Sequence, residues 1–349
     1  MFVDRSLATL LGALGMLILG VTWHSRSAFM QRFSPLGWIL TGFFFFNDTS
    51  TYIEKSDMVL TIMSAACLPA AIGISIWEKK SVRKEESEAL HWFRGAIFYA
   101  GFPYMLIAHV PWLNVLAIWF VAWQSGLFLS FAGLDGITMG ETMVNTTTGS
   151  IPWAEWTGNK WFIAQPMAEH PFHTELLMAD GSALGINFVL ACTAIQSMII
   201  FVGATVVLDI DVRKRIRALI ITLPVIHILN LFRNAGLIWL HHTYEGWNWL
   251  GLSMFDFGHL YAARVASLAA MFLMAIILFE LLPTLHRNVL VLMSPLGVDA
   301  GLPANQSQSN TQEPKQQRVS VKNITYNTIT NINDSSVVSD TIVNFEKED

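Results

Sequence analysis

What most constrains this chain is a series of eight apolar runs, residues 6–24, 34–47, 57–77, 91–109, 112–133, 183–208, 217–240 and 258–283. A helix needs about 20 predominantly apolar residues to cross a bilayer, and all but the second run, "SPLGWILTGFFFF", approach or exceed that length. Charged residues make up only 13% of the chain and apolar ones 53%, against roughly 25% charge in a soluble domain. The fold class expected is therefore all-α: a polytopic membrane helical bundle of about eight transmembrane helices with a polar C-terminal tail. The first run is followed by "TWHSRS" rather than a small-residue cleavage site, so it reads as a retained anchor. The boundary between the membrane domain and the tail falls at residue 285. Residues 286–349 turn Asn-, Ser- and Thr-rich and read as a cytoplasmic tail, with β-branched alternation after Val319.

Basic residues near span ends set orientation. The short loop "DIDVRKRIR" holds Arg213, Lys214, Arg215 and Arg217 and is expected in the cytoplasm. With eight crossings both termini are then cytoplasmic, and loops 134–182 and 241–257 face outward. The segment "EKKSVRKEESE", residues 78–88, also falls outside by this count despite its four basic residues. A net charge of -5 spread over several loops gives no nucleic-acid partner. The two cysteines, Cys67 and Cys192, exclude a disulfide framework, and nothing in the sequence calls for a cofactor.

The sixth run contains "NFVLACTAIQSMIIFVGA", with a thiol, hydroxyls and a glutamine inside an apolar stretch. Packing is the plain explanation of a lone buried cysteine, and it is the one adopted for Cys67 in "SAACLPAA". For Cys192 the neighbouring runs add something else. At about 1.5 Å per residue, Cys192 falls roughly 13 Å below the outer end of its run, Arg233 roughly 10 Å below its own, and Arg264 roughly 9 Å below the start of the eighth. All three share one level in the outer half of the membrane, while His259 sits nearer the rim. An arginine inside a span costs at least about 2.5 kcal/mol and usually faces a bundle interior. Snorkelling to the interface, or a tie to a carboxylate such as Asp256, would satisfy each arginine structurally. Paired with a thiol they do more: cations favour the nucleophilic thiolate, and a guanidinium fork suits a developing oxyanion. His259 is the nearest neutral base. By depth, Arg264 ranks above it as the third group of the site.

The segments "ACTAIQSM", "LFRNAGL" and "FGHLYAARVAS" on three consecutive runs resemble the signature regions of the exosortase/archaeosortase family. The likeness covers roughly residues 5 to 285. Exosortases carry a histidine at the third position and archaeosortase-type members an arginine, and this chain offers both His259 and Arg264. The resemblance implies a membrane thiol protease and transpeptidase in the cell membrane, with its site toward the outer face. Its partners would be translocated surface proteins bearing a C-terminal sorting signal of Pro-Gly-Phe type, and a membrane lipid as acceptor. It implies Cys192 as the nucleophile that forms an acyl-thioester, Arg233 as a hydrogen-bond or proton donor, and Arg264 as a transition-state stabiliser, with His259 the alternative.

Other clusters carry less. "HHTYEGW", with His241, His242 and Glu245, and "EHPFH", with His170 and His173, offer metal-ligand types without a spacing such as H-E-x-x-H, and read as solvated loop histidines. Trp153, Trp156, Trp161 and Phe162 read as an interfacial aromatic belt. The alternative function is a transporter in which the arginines bind an anion, although no internal repeat of the kind transporters use is visible.

Overall fold

The computed structural model of the chain describes residues 3–25, 27–163, 167–249 and 251–298. In chain order the first helices are α1 (Arg5–His24), the short α2 (Ala28–Gln31), α3 (Ser34–Asn47), the short α4 (Thr49–Glu54), α5 (Met58–Lys80), α6 (Lys84–His109) and α7 (Pro111–Phe131). Four antiparallel strands follow, β1 (Thr138–Thr146), β2 (Gly149–Pro152), β3 (Met167–Leu177) and β4 (Ala183–Phe188), in the spatial order β2-β1-β3-β4. A 3-10 turn, Leu190–Thr193, then enters α8 (Ile195–Val206) and α9 (Val212–Thr243). A two-strand ribbon, β5 (Asn248–Trp249) and β6 (Leu252–Ser253), leads to α10 (Met254–Phe257), a π-helical turn at Gly258–Ala262, α11 (Ala263–Leu281) and α12 (Pro283–Met293).

The all-α expectation is corrected by the sheet. Its strands carry the alternation of a half-buried surface: Thr142 and Val144 on β1 and Phe172, Thr174 and Leu176 on β3 point inward. Trp153 and Trp156 join this core rather than an interfacial belt, whereas Trp161 and Phe162 are exposed. The run 183–208 is not one span. Its first six residues are β4, because a short, mostly apolar stretch fits a strand as well as a helix, and Gly185 (φ +71°) and Ala194 (φ +56°) interrupt the run.

Five helices, α1, α5, α7, α9 and α11, are long and apolar enough to cross a membrane, the make-up of a helical membrane protein. α7 uses its apolarity differently. Trp112 N–H donates to the Lys160 carbonyl (3.2 Å), Trp119 Nε1 to Thr142 Oγ1 (2.5 Å), and Leu176 lies over Gly126. The sheet thus lies along the length of α7. An open sheet carried into hydrocarbon would leave its edge groups unpaired.

Direction decides the same point. α6 and α8 run antiparallel, with Trp92 bonded to the Ala204 carbonyl and Tyr104 to Gln196. α9 returns against α8, from Arg215 at Leu208 to Asn230 and Asn234 at Cys192. Along α7, Phe120 stacks on His227 and Phe128 meets Phe232, so α7 runs in the sense of α9 and hence of α6. α6, at about 1.5 Å per residue, is already long enough for the ~30 Å hydrocarbon layer. A second helix of the same sense adds no return crossing.

This changes which loops share an end. Glu88 pairs with Arg287 beyond α11, and Arg215 holds the Leu208 carbonyl, so residues 78–88 and 208–217 lie at one end of the bundle. At the other end Val3 bonds Asn47, Lys55 pairs with Glu169 of β3, and Arg264 pairs with Asp57. Residue 3 therefore lies at the sheet end, opposite the end where α11 finishes. α12 carries ordered structure past residue 285, with Leu285, Asn288 and Val291 buried. The rest of the expected tail, from residue 299, lies outside the described residues.

Small residues let the helices approach closely. A Cβ at Gly15 would lie 2.8 Å from the Thr41 backbone nitrogen, and one at Gly203 would lie 2.7 Å from the Ala96 carbonyl oxygen. Near the basic end, Glu78 accepts from Ser34 (2.5 Å) and Trp38 (3.2 Å) and pairs with buried Arg94 (3.2 Å), tying α3, α5 and α6 together. Gly236, by contrast, has open space around it. Gly203→Val is expected to destabilise by about 1–3 kcal/mol through overpacking, and Gly236→Ala to stabilise by up to about 1 kcal/mol. Thermal unfolding in detergent reads both signs.

Candidate active site

Cys192 stands in the 3-10 turn between β4 and α8, outside the long helices. Two residues later Ala194 holds a left-handed conformation (φ +56°, ψ +7°). A non-glycine residue there costs of order 1–3 kcal/mol and persists only where its surroundings fix it. What fixes it is visible. The Cys192 carbonyl accepts from Asn230 Nδ2 (2.8 Å) and Asn234 Nδ2 (2.9 Å), while Cys192 N–H donates to the Val189 carbonyl (2.9 Å). Arg233 donates to Asn234 Oδ1 (3.1 Å). Asn230, Arg233 and Asn234 follow the i, i+3, i+4 spacing of one helix face. That face of α9 meets the cysteine turn.

Around this turn opens a cavity of about 350 Å³. The sheet contributes Asn145, His170, His173 and residues 185–188, followed by Val189; α9 contributes Arg233, Asn234, Leu237 and Ile238; Phe255 and His259 also line it. Cys192, Arg233 and His259, expected from sequence, come together here. Arg264 does not line the cavity. Its guanidinium pairs with Asp57 Oδ2 at 2.9 Å, and that carboxylate caps the start of α5 by accepting from Leu60 N–H. The π turn at Gly258–Ala262, closed by Ala263 N–H on the Gly258 carbonyl, separates the two side chains, and such turns recur at functional sites. His259 stacks on Phe255 (5.5 Å between centroids), which fixes its ring.

The electrostatics follow from burial and charge. Burial pushes the Cys192 thiol up from its ordinary range, opposed by a Val189 backbone hydrogen bond to the thiol and by the Arg233 cation. Burial pulls His259 down, and Arg233 and Arg264 pull it further, against Asp256. His173 is also pulled down by burial, with Glu175 opposing. Both imidazoles are therefore held neutral near pH 7, able to accept a proton. Asn145 Nδ2 donates to the His170 carbonyl (2.8 Å) and lies 3.1 Å from His173 Nδ1, so that ring nitrogen accepts.

His170 and His173, read from sequence as solvated, thus belong to the cavity. Asn230 and Asn234 were missed as supports, although their spacing around Arg233 was available. His173 carried no such signal, because strand pairing brings it in. His242 and Glu245 are exposed at the end of α9. Among the described residues no three His, Cys, Asp or Glu side chains gather as a metal-ligand group. Cys67 lies in α5 with its thiol on the Met63 carbonyl (3.2 Å).

Comparison with known proteins gives one partial likeness. Over 63 residues the chain is 39% identical to archaeosortase A of Haloferax volcanii. That segment is 18% of this chain and 21% of that protein, so the chain covers about a fifth of its relative's length. No family model matches the chain, and no solved structure matches it.

The cation beside the thiol makes a pH prediction. In a Cys67→Ala background, alkylation of Cys192 by iodoacetamide should rise with pH along a curve displaced above that of an ordinary thiol. Arg233→Ala removes a downward influence, so its curve should move to still higher pH. A curve unmoved by Arg233→Ala would separate the two groups electrostatically.

Proposed function

We propose that this chain is a membrane cysteine peptidase and transpeptidase that cuts the C-terminal sorting signal of translocated surface proteins. The observation that carries this reading is the shared cavity of Cys192, Arg233 and His259 beside a strained turn; the partial likeness to archaeosortase A supports it. His259 takes the thiol proton, and the Cys192 sulfur attacks the carbonyl carbon of the scissile peptide bond. Arg233 donates to the resulting oxyanion, an interaction stronger in the transition state than before it. The imidazolium then protonates the departing amine, the C–N bond breaks, and an acyl-thioester remains on Cys192. An amine on a membrane lipid attacks that thioester, its proton returns through His259, and the thiol is released. Arg264, tied to Asp57, acts on this site through its charge near His259.

Orientation supports the same reading. With Lys79, Lys80, Arg83 and Lys84 at the same end as Arg213, Lys214, Arg215 and Arg217, the positive-inside rule puts that end in the cytoplasm. The sheet and the cavity then face outward in the cell membrane, where translocated substrates emerge. A cysteine introduced at Thr148 should react with an impermeant thiol reagent on intact cells. One introduced at Lys80 should be protected, and the reverse pattern would invert the molecule.

The catalytic assignment is tested by substrate processing in cells. Cys192→Ala should abolish it while Cys67→Ala leaves it intact. His259→Ala should lose about 10²-fold or more, the usual worth of a general base, and Arg264→Ala less. Arg233→Lys keeps charge without the planar fork and should be strongly impaired. Undiminished processing by Cys192→Ala would end the thiol mechanism and favour an anion-binding role for Arg233.

A further inference from the structure

Among the described residues the sheet ends on β4, which pairs with β3 alone through Thr174↔Phe188, Glu175↔Asn187 and Leu177↔Ala183. An edge strand leaves one row of backbone N–H and C=O groups without a strand partner, a template for another extended chain. Residues of β4 also line the cavity. Gly185, Ile186, Asn187, Phe188 and Val189 line it in unbroken succession, and Cys192 follows three residues later. At about 3.3 Å per residue the lining run is roughly 16 Å long, room for four or five extended residues.

Gly185 adds an independent sign. It takes φ +71° within the strand, and nothing lies within 4 Å of where its Cβ would be. A glycine in a strand interior often marks close approach by another backbone. The facing wall, Leu237 and Ile238 of α9, offers side chains but no strand. The cavity thus brings residues of β4, Leu237 and Ile238 of α9 and Cys192 together.

We infer that the free edge of β4 binds the substrate polypeptide as an added strand and delivers its scissile carbonyl to Cys192. This rests on the reading of Cys192 as the nucleophile. Backbone pairing supplies affinity that is blind to sequence, while alternate substrate side chains meet Leu237 and Ile238 or turn away. A site built this way takes many surface proteins that share little beyond a short motif.

The test uses the full chain with Cys192→Ala in nanodiscs, and a fluorescent synthetic peptide in which Pro-Gly-Phe is flanked by extended residues. Single backbone N-methyl groups are moved along the peptide, each deleting one donor. Binding by anisotropy should weaken about tenfold at every second position, the loss of one interstrand bond, and little at those between. No binding, no dependence on position, or a loss without the two-residue period would overturn the added strand. Cleavage of the unmodified peptide by the parent protein is scored separately. Periodic binding without cleavage would retain the strand and remove the protease reading.

Discussion

Two hydrogen bonds hold the centre of this molecule together. Asn230 and Asn234 both reach the Cys192 carbonyl, joining the turn at the end of the sheet to the face of α9 that carries Arg233. A carbonyl with two amide donors is fully satisfied, and a turn so held can keep Ala194 in a conformation that costs free energy elsewhere. Through this junction the sheet, the long helix and the thiol share one geometry. Without it the cysteine would stand on a free loop, and the arginine would face an undefined space.

The second organising constraint is that apolar surface serves two masters here. In α1, α5, α9 and α11 it makes helices long and apolar enough to cross a membrane. In α7 it meets Trp153, Phe172 and Leu176 of the sheet. The result is a platform at one end of the bundle whose lower layer is helix and whose upper layer is strand, with the cavity at its inner rim. The basic residues of both short loops gather at the far end.

Helices without charge were readable from hydropathy because a long apolar run has few alternatives. The run 183–208 was not, because strand and helix share the same apolar signal over short lengths and the breaks at Gly185 and Ala194 are conformational, not compositional. Adding α7 as a full crossing put residues 78–88 at the end opposite residues 208–217, whereas the run 183–208 still carries the chain from the sheet end to the basic end through α8. In the site, Cys192 and Arg233 stood out as polar groups in apolar surroundings. His259 and Arg264 could not be ranked by depth, since the π turn redirects one toward the cavity and leaves the other at Asp57. His173 was read as a solvated loop residue because only the pairing of β1 with β3 brings it next to Asn145.

The central claim is that Cys192 becomes acylated by the substrate. Protein quenched in acid during turnover and digested should yield the peptide containing Cys192 carrying the mass of the substrate's new carboxyl end, released by neutral hydroxylamine as a thioester requires. An adduct on any other residue, or turnover with Cys192 unmodified under conditions where the acceptor amine is withheld, would contradict it.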